Sequence, residues 1–308
     1  MRYWRHYPKF LQIILLMLMI FTLVSFSSVI AGVSVTPIFD VSLKDLAEVS
    51  ADSLPKVIAG TQYVQGIVSL FTFLLSALLF AYLTHPEPIN YLGLRKPAKS
   101  INVAIVVLLL VSFMPIVNQL GSWLQHIDFG AKAKASFEHN EMVMKTLMRG
   151  TTPMDFAIHM LVFALIPAIG EELLFRGVIM RISYSNSQNI HFAILIAAAI
   201  FGIAHGSVYN FLPIMLMGVL LGYIYYLSGS IWLSILAHFM NNALAALGIF
   251  LINTKSVAEE VGTAENFPWY VLVISLGLFV AAFSLLRKNA TPLPPDWSDD
   301  FKGERQTS

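Results

Sequence analysis

Ionisable side chains interrupt three otherwise apolar stretches of the sequence. The first stretch carries Glu171 and Glu172, the second ends in His205, and the third carries His238. An ionisable residue at the centre of a membrane span costs about 2.5–3.5 kcal/mol or more, so its presence there indicates function by default. If these side chains converge near the middle of a bilayer, they form a buried site that can move protons.

The spacing of these residues indicates how each can act. Glu172 precedes Arg176 by four residues, the favourable order for an ion pair on one helix face. Glu171 points about 100° away around the helix, so it is not drawn into that pair. One glutamate can therefore be structural while its neighbour does chemistry. Two further pairs have the same spacing and share a face: Phe201 with His205, and His238 with Asn242.

The chemistry that suits this set is hydrolysis. A hydrolase must remove a proton from water during attack, and a carboxylate in a low-dielectric site suits that general-base work. His205 and His238, with or without Glu171, can hold Zn²⁺, which lowers the pKa of a bound water to about 7. Alternatively, the imidazoles can hydrogen-bond the water and the oxyanion without a metal. Asn242 is a neutral donor for that oxyanion.

Together the three segments resemble the signature of the CPBP family of intramembrane proteases, which includes the type II CAAX prenyl endopeptidases (Rce1-like) and the Abi proteins. The pattern is EExxxR, FxxxH and HxxxN on successive polar-bearing helices, here beginning at Glu171, Phe201 and His238. The resemblance covers about residues 154–250. It implies an eight-helix endopeptidase whose active site opens to the cytoplasm and is reached from within the bilayer.

The resemblance also implies a role for each residue. Glu171 is the expected main catalytic glutamate, with His205 and His238 beside it and Asn242 as oxyanion donor or site former. Zn²⁺ is the expected cofactor, held by His205 and His238, with or without Glu171. The expected substrate is a membrane protein or membrane-associated peptide. The predicted catalytic residues are Glu171, Glu172, His205, His238 and Asn242, supported by Arg176 and Phe201.

The composition indicates a membrane environment for this chemistry. Residues of the AVILMFWYC set make up 57% of the 308 residues, and charged residues only 12%. Soluble domains have roughly 45–50% apolar and about 25% charged residues, so lipid must solvate much of this surface. A net charge of +1 without a basic block points away from nucleic acid. The sequence has no cysteine, which excludes disulfides and thiolate metal sites.

The predicted fold is an all-α, polytopic membrane bundle of about eight transmembrane helices, each needing about 20 apolar residues. The first apolar segment follows basic residues, as in a signal peptide. It is longer than a cleavable core of about 7–15 residues, so we expect a retained anchor. The predicted spans are residues 10–32, 63–83, 101–121, 154–181, 190–209, 211–228, 230–252 and 267–286.

An even number of spans puts both chain ends on one side of the membrane. That side carries more Lys and Arg than the other, so the positive-inside rule places both ends in the cytoplasm. We expect the plasma membrane of a bacterium. The residues counted for the cytoplasmic side are Arg2, Arg5, Lys9, Arg95, Lys96, Lys99, Arg176, Arg181, Arg287, Lys288, Lys302 and Arg305.

Three regions are predicted along the chain. Residues 1–153 hold three spans and two extramembrane connectors, and residues 154–252 form the protease-like core. Residues 253–308 hold the last span and a polar, proline-bearing tail that is expected to be disordered. The connector at residues 122–153 is either a helix lying on the membrane or a simple link.

Functions of other classes compete with the protease. Ser234 and His238 are four residues apart on one helix, so a serine protease is one alternative, although it leaves both glutamates unused. A proton-coupled transporter is another, because intramembrane glutamates and histidines relay protons; it would show helix repeats, and none is found in the sequence. A third is a non-catalytic scaffold or immunity protein of the same family. His159 and His191 are expected at the membrane interface.

Overall fold

A computed structural model describes residues 3–94, 99–258 and 267–301. The described residues form helices joined by short connecting segments, and they contain no strand. This confirms the predicted all-α class. The described chain contains eleven helices: α1 Lys9–Phe39, α2 Leu43–Ala47, α3 Pro55–Thr84, α4 Pro88–Tyr91, α5 Ile101–Gln125, α6 Ala131–Leu147, α7 Pro153–Ser187, α8 Ile190–Ala204, α9 Val208–Ser228, α10 Ile231–Asn253 and α11 Trp269–Lys288. Seven of them are long and apolar enough to cross a membrane: α1, α3, α5, α7, α9, α10 and α11.

Helix α8 is shorter than the span predicted at residues 190–209. It has 15 residues, or about 22 Å at 1.5 Å per residue, which is less than a hydrocarbon core of about 30 Å. The helix ends because Gly206 adopts a left-handed φ of +66° and Ser207 caps α9 by accepting from Asn210 N. Helices α8 and α9 therefore form a hairpin whose tip carries His205.

The two ends of the described chain meet on one face of the bundle. Arg5 Nη1 donates to the carbonyl of Asp300 at 2.7 Å, and Lys9 Nζ lies 2.5 Å from Asp300 Oδ2. The contact places both ends of the described chain on the same side of the bundle. The cytoplasmic location of that side stays a prediction. Among the basic residues that the sequence analysis assigned to the cytoplasmic side, Arg176 is buried within the bundle. Five more lie outside the described residues: Arg2, Arg95, Lys96, Lys302 and Arg305.

The polar segment that follows α11 is packed against the bundle. Leu293 N donates to Tyr226 O at 3.0 Å, and the side chains of Leu293 and Asp300 are buried. A few backbone bonds and one buried carboxylate hold the segment despite its polar composition. The expected disorder is therefore wrong for residues 289–301, while residues 302–308 lie outside the described chain.

Helix α7 carries the two glutamates between two π-helical segments. These span Met160–Leu165 and Leu173–Ile179. A π turn changes the direction of the side chains that follow it and is frequent at functional sites. Gly170 brings this part of α7 close to α3, because a Cβ there would lie only 2.9 Å from Phe73 Cβ. The glutamates thus occupy a tightly packed turn with altered side-chain directions.

Helix α9 packs against both α7 and α8 at the level of these glutamates. Gly218 permits the approach, since a Cβ there would meet Ala198 Cβ at 3.0 Å. The rings of Phe175 and Phe201 fill the space between α7 and α8, with their centres 5.0 Å apart. These contacts hold the helix backbones in fixed positions around the site.

The second connector contains helix α6, whose residues are mostly exposed. Phe137 on α6 packs against Tyr209 at the start of α9, with ring centres 5.0 Å apart. His159, expected at the interface, is instead buried at 1% exposure beside Phe163, because it lies on the face of α7 that packs against the bundle with Val162 and Phe163.

Candidate active site

Glu172 is bonded to donors on two helices. Its Oε1 accepts from Arg176 Nη1 at 2.6 Å and from His238 Nδ1 at 2.9 Å, and its Oε2 accepts from Ser234 Oγ at 2.5 Å. The carboxylate is fully buried. Hydrogen bonds to an ionised acceptor are short and strong, as these are. Both oxygens of Glu172 are thus engaged by the protein itself.

Arg176 forms the ion pair that the sequence spacing predicted. Its Nη2 also donates to Gly218 O of α9 at 2.9 Å, and its guanidinium carbon lies 5.1 Å from the centre of the Phe201 ring of α8. A buried ion pair is tolerated when its remaining hydrogen-bonding groups are satisfied. The Glu172–Arg176 pair therefore joins helices α7 to α10 at one point.

Glu171 points away from that pair into a different environment. Its side chain is buried, and Oε2 has no hydrogen-bond partner among the described residues. The Nε2 atom of His238 lies 3.8 Å from this oxygen, which is too long for a direct hydrogen bond. Polar atoms at such a separation suit a bridging water. Glu171 therefore carries the unengaged carboxylate of the site.

His238 lies between the two glutamates. Since Glu172 Oε1 can only accept from it, Nδ1 carries a proton, and a neutral ring then has its lone pair on Nε2. That lone pair is on the side of Glu171. The ring also packs edge-on against Phe201, with centres 5.7 Å apart. Two acceptor atoms, Glu171 Oε2 and His238 Nε2, consequently lie side by side.

His205 lies at the edge of this arrangement. Its Nδ1 donates to Phe201 O at 2.7 Å, and its ring contacts the Phe201 ring at 4.7 Å between centres. The side chain is exposed at the tip of the α8–α9 hairpin. The Phe201 ring thus contacts both imidazoles, at 4.7 Å from His205 and 5.7 Å from His238 between ring centres.

Asn242, the predicted oxyanion donor, lies one turn after His238 and is partly exposed. Its Oδ1 accepts from Asn241 Nδ2 at 3.1 Å. None of the hydrogen bonds in the described chain joins it to the glutamates or histidines of the site. Its amide nitrogen is therefore available to a ligand.

Ser234, the nucleophile of the alternative serine mechanism, contacts a carboxylate and a carbonyl. Its hydroxyl lies 2.5 Å from Glu172 Oε2 and 3.0 Å from Leu221 O, and the residue is fully buried. A nucleophilic serine donates to the base that activates it, whereas His238 Nδ1 is already taken by Glu172. Sequence reasoning missed this partner of Ser234, although the four-residue spacing to His238 placed both on the face that meets Glu172.

The expected zinc ligands do not form a metal site as they are placed. In the described part of the chain, no three His, Cys, Asp or Glu side chains are grouped so that they can hold a metal ion. Glu171 and His238 alone provide two ligands, whereas catalytic zinc sites take three from the protein. His205 would have to move toward them to complete the set.

Comparisons with known proteins place a family domain over these residues. Residues 153–244 match the family model "Type II CAAX prenyl endopeptidase Rce1-like". The chain is also 24% identical over 187 residues to a Bacillus subtilis (strain 168) protein named "Putative membrane peptidase YdiL", an alignment that covers 60% of this chain and 72% of the relative. No solved structure matches the chain. The matched segment runs from the start of α7 into α10 and includes every predicted site residue.

Proposed function

Residues 153–244 of this chain belong to the Rce1-like family, and we propose that the protein is an intramembrane endopeptidase that hydrolyses a membrane protein or a membrane-associated peptide. The observation that carries the proposal is the pair of unengaged acceptors, Glu171 Oε2 and His238 Nε2, 3.8 Å apart in a buried site. Such a pair can hold a water molecule and take a proton from it as the water attacks.

Glu171 is the general base in this proposal. A water about 2.8 Å from both acceptors donates one hydrogen to Glu171 Oε2 and the other to His238 Nε2. An oxygen lone pair then remains for the scissile carbonyl carbon. As the oxygen attacks, Glu171 takes a proton and the carbonyl oxygen becomes an oxyanion. General-base assistance of this kind contributes about 10²–10⁴-fold to a rate.

The second half of the reaction returns the proton. Protonated Glu171 gives it to the amide nitrogen, the C–N bond breaks, and the products are a carboxylic acid and an amine. The oxyanion needs a donor at about 2.7–3.1 Å. Asn242 supplies it from the same helix as His238, because its amide nitrogen is unengaged and neutral. We infer that an entering peptide passes His205, at the exposed edge of the site.

The proposal includes zinc as a candidate cofactor. When bound, it would lower the pKa of the attacking water, and His205, His238 and Glu171 are its candidate ligands. Elemental analysis of the purified parent and of His238→Ala tests this point. One zinc per chain in the parent and none in the variant supports the metal, whereas full activity in zinc-free protein contradicts it.

The general-base assignment is tested with Glu171→Gln. Parent and variant are reconstituted separately into membranes of the host from which the gene has been deleted, and new peptide termini are identified by mass spectrometry. We expect parent-specific termini that the variant generates about 10²–10⁴-fold more slowly. Glu141→Gln, on the exposed face of α6, is the matched control and should cleave like the parent. Equal cleavage by Glu171→Gln contradicts the mechanism, and absence of parent-specific termini contradicts the function.

The membrane arrangement belongs to the same proposal. We infer a multi-pass protein with both termini in the cytoplasm of a bacterium. A cysteine introduced near Arg5 or near Asp128 in the otherwise cysteine-free chain can be tested with a membrane-impermeant thiol reagent on intact cells. Labelling only near Asp128 supports the predicted orientation, and labelling only near Arg5 reverses it.

A further inference from the structure

Ser234 and His238 lie one turn apart on α10 and bind the same carboxylate from α7. Ser234 donates to Glu172 Oε2, and His238 donates to Glu172 Oε1. Because the two donors hold opposite oxygens, the carboxylate plane cannot rotate without breaking one of the two bonds. The orientation of Glu172 is therefore set by both residues of α10 as well as by Arg176.

The serine bond has the features of a charge-assisted hydrogen bond. Its 2.5 Å length falls within the range of about 2.5–2.7 Å for a hydroxyl that donates to a carboxylate. The competing acceptor, Leu221 O, is neutral and lies farther away at 3.0 Å. A hydroxyl has one proton, so the proton of Ser234 belongs to Glu172.

We propose that Ser234 is a positioning residue that fixes the tautomer and orientation of His238 through Glu172. By holding Oε2, Ser234 keeps Oε1 in line with His238 Nδ1, and the lone pair of Nε2 is then directed at the water beside Glu171. Ser234 itself touches neither the water nor the peptide. The catalytic meaning of this role rests on the proposed function, but the state of the His238 ring can be measured without a substrate.

The test compares Ser234→Ala with a matched control, Ser112→Ala. Ser112 is also buried in a long helix, but its hydroxyl bonds only to carbonyls of its own helix, Leu108 O at 2.7 Å and Leu109 O at 3.0 Å. The ring nitrogens of His238 are observed by NMR in protein labelled with ¹⁵N-histidine and assigned with His238→Gln. Cleavage is measured on the same samples with a peptide substrate identified from the termini described above.

We expect one ring form with a protonated Nδ1 in the parent and in Ser112→Ala, and a mixture of ring forms in Ser234→Ala. The kcat of Ser234→Ala should fall about 10- to 100-fold, the value of one hydrogen bond to a charged group, with little change in KM. Ser234→Cys replaces the hydroxyl with a somewhat larger group that is a weaker donor. Its kcat and its His238 ring signals should lie between those of the parent and of Ser234→Ala, and it serves if the alanine variant does not fold.

Unchanged His238 ring signals in Ser234→Ala overturn the proposal. If cleavage is abolished while those signals stay unchanged, Ser234 acts on the substrate itself, which also overturns it. If the parent cleaves nothing, the proposed function fails, and the ring signals alone then decide whether Ser234 positions His238.

Discussion

Glu171 and Glu172 are neighbours in α7, yet they meet the same imidazole from opposite sides. Glu172 Oε1 accepts from Nδ1 of His238 at 2.9 Å, whereas Glu171 Oε2 lies 3.8 Å from Nε2 of that ring. Adjacent helix residues point about 100° apart, so one turn can supply both a bonded anchor and an unengaged base. The two glutamates should therefore respond differently to the same substitution.

Glu172→Gln is expected to destabilise the protein by about 3–5 kcal/mol, because it leaves the buried Arg176 without its counter-charge. Glu171→Gln should leave stability close to that of the parent, since Glu171 Oε2 has no protein partner. Unfolding of both variants in detergent measures the difference. Equal stabilities would show that Glu172 does not anchor the site.

Removing both charges of the ion pair should cost less than the sum of the two single changes. In Glu172→Gln with Arg176→Met, neither buried charge is left alone, so the double variant should recover part of the stability lost in each single variant. The recovery is read from a double-mutant cycle of unfolding free energies. Strict additivity would contradict a direct interaction between the two side chains.

His238→Ala and His205→Ala should both abolish peptide cleavage but differ in stability. His238→Ala removes a buried donor from Glu172 and should cost about 1–3 kcal/mol. His205 is exposed at the hairpin tip, so His205→Ala should unfold close to the parent. His191→Ala, another exposed histidine, is the activity control. Parent-level cleavage by His205→Ala would remove His205 from the site.

Asp300→Ala should loosen the contact between the two chain ends. Its carboxylate is buried, with Lys9 Nζ at 2.5 Å and Arg181 Nε at 3.6 Å. Losing a hydrogen bond between charged groups costs about 1.5–3 kcal/mol, so the melting temperature in detergent should fall. Glu141→Gln again serves as the exposed control. A melting temperature equal to that of the parent would mean that the packed tail contributes nothing to stability.

Stability should also fall in mild acid because of His85, which follows α3 outside the spans. Burial lowers the pKa of its imidazole, and the nearby Arg181 lowers it further. Its Nδ1 accepts from Glu87 N at 3.0 Å, a bond that protonation removes. The folded pKa is below the unfolded value of about 6.5, so this stability is present above that pH and is lost as the pH falls through the folded pKa.

The measurement for His85 is the melting temperature in detergent across mildly acidic pH. Arg181, Asp300 and Arg5 are the charged groups that act on His85. The parent should melt at lower temperature as the pH falls, and His85→Gln should show a weaker dependence. Identical profiles would assign the acid sensitivity to other groups.

Several features could be predicted from the sequence because short-range geometry decides them. The four-residue spacing of Glu172 and Arg176 gives the ion pair, and the 100° offset of Glu171 gives its separation from that pair. Long apolar runs give the helices and the membrane bundle. Each of these depends on helix periodicity and hydrophobicity alone, without knowledge of which helices are neighbours.

Other features could not be predicted because they depend on which helices meet. Nothing in the sequence shows that Gly218 O accepts from Arg176, or that Ser234 donates to Glu172. The early end of α8 depends on a left-handed Gly206, and this moves His205 to the edge of the site. The packed tail depends on a partner for Asp300 near the N-terminus, which composition does not reveal.

The four-helix junction at Glu172 has a consequence for biogenesis. The imidazole of His238 acquires its partner only when α10 has docked on α7, and Arg176 is satisfied only when α9 is also in place. A chain still leaving the insertion machinery therefore lacks an aligned base and histidine. In the proposed mechanism, competence to cut is coupled to the completed assembly of α7, α9 and α10.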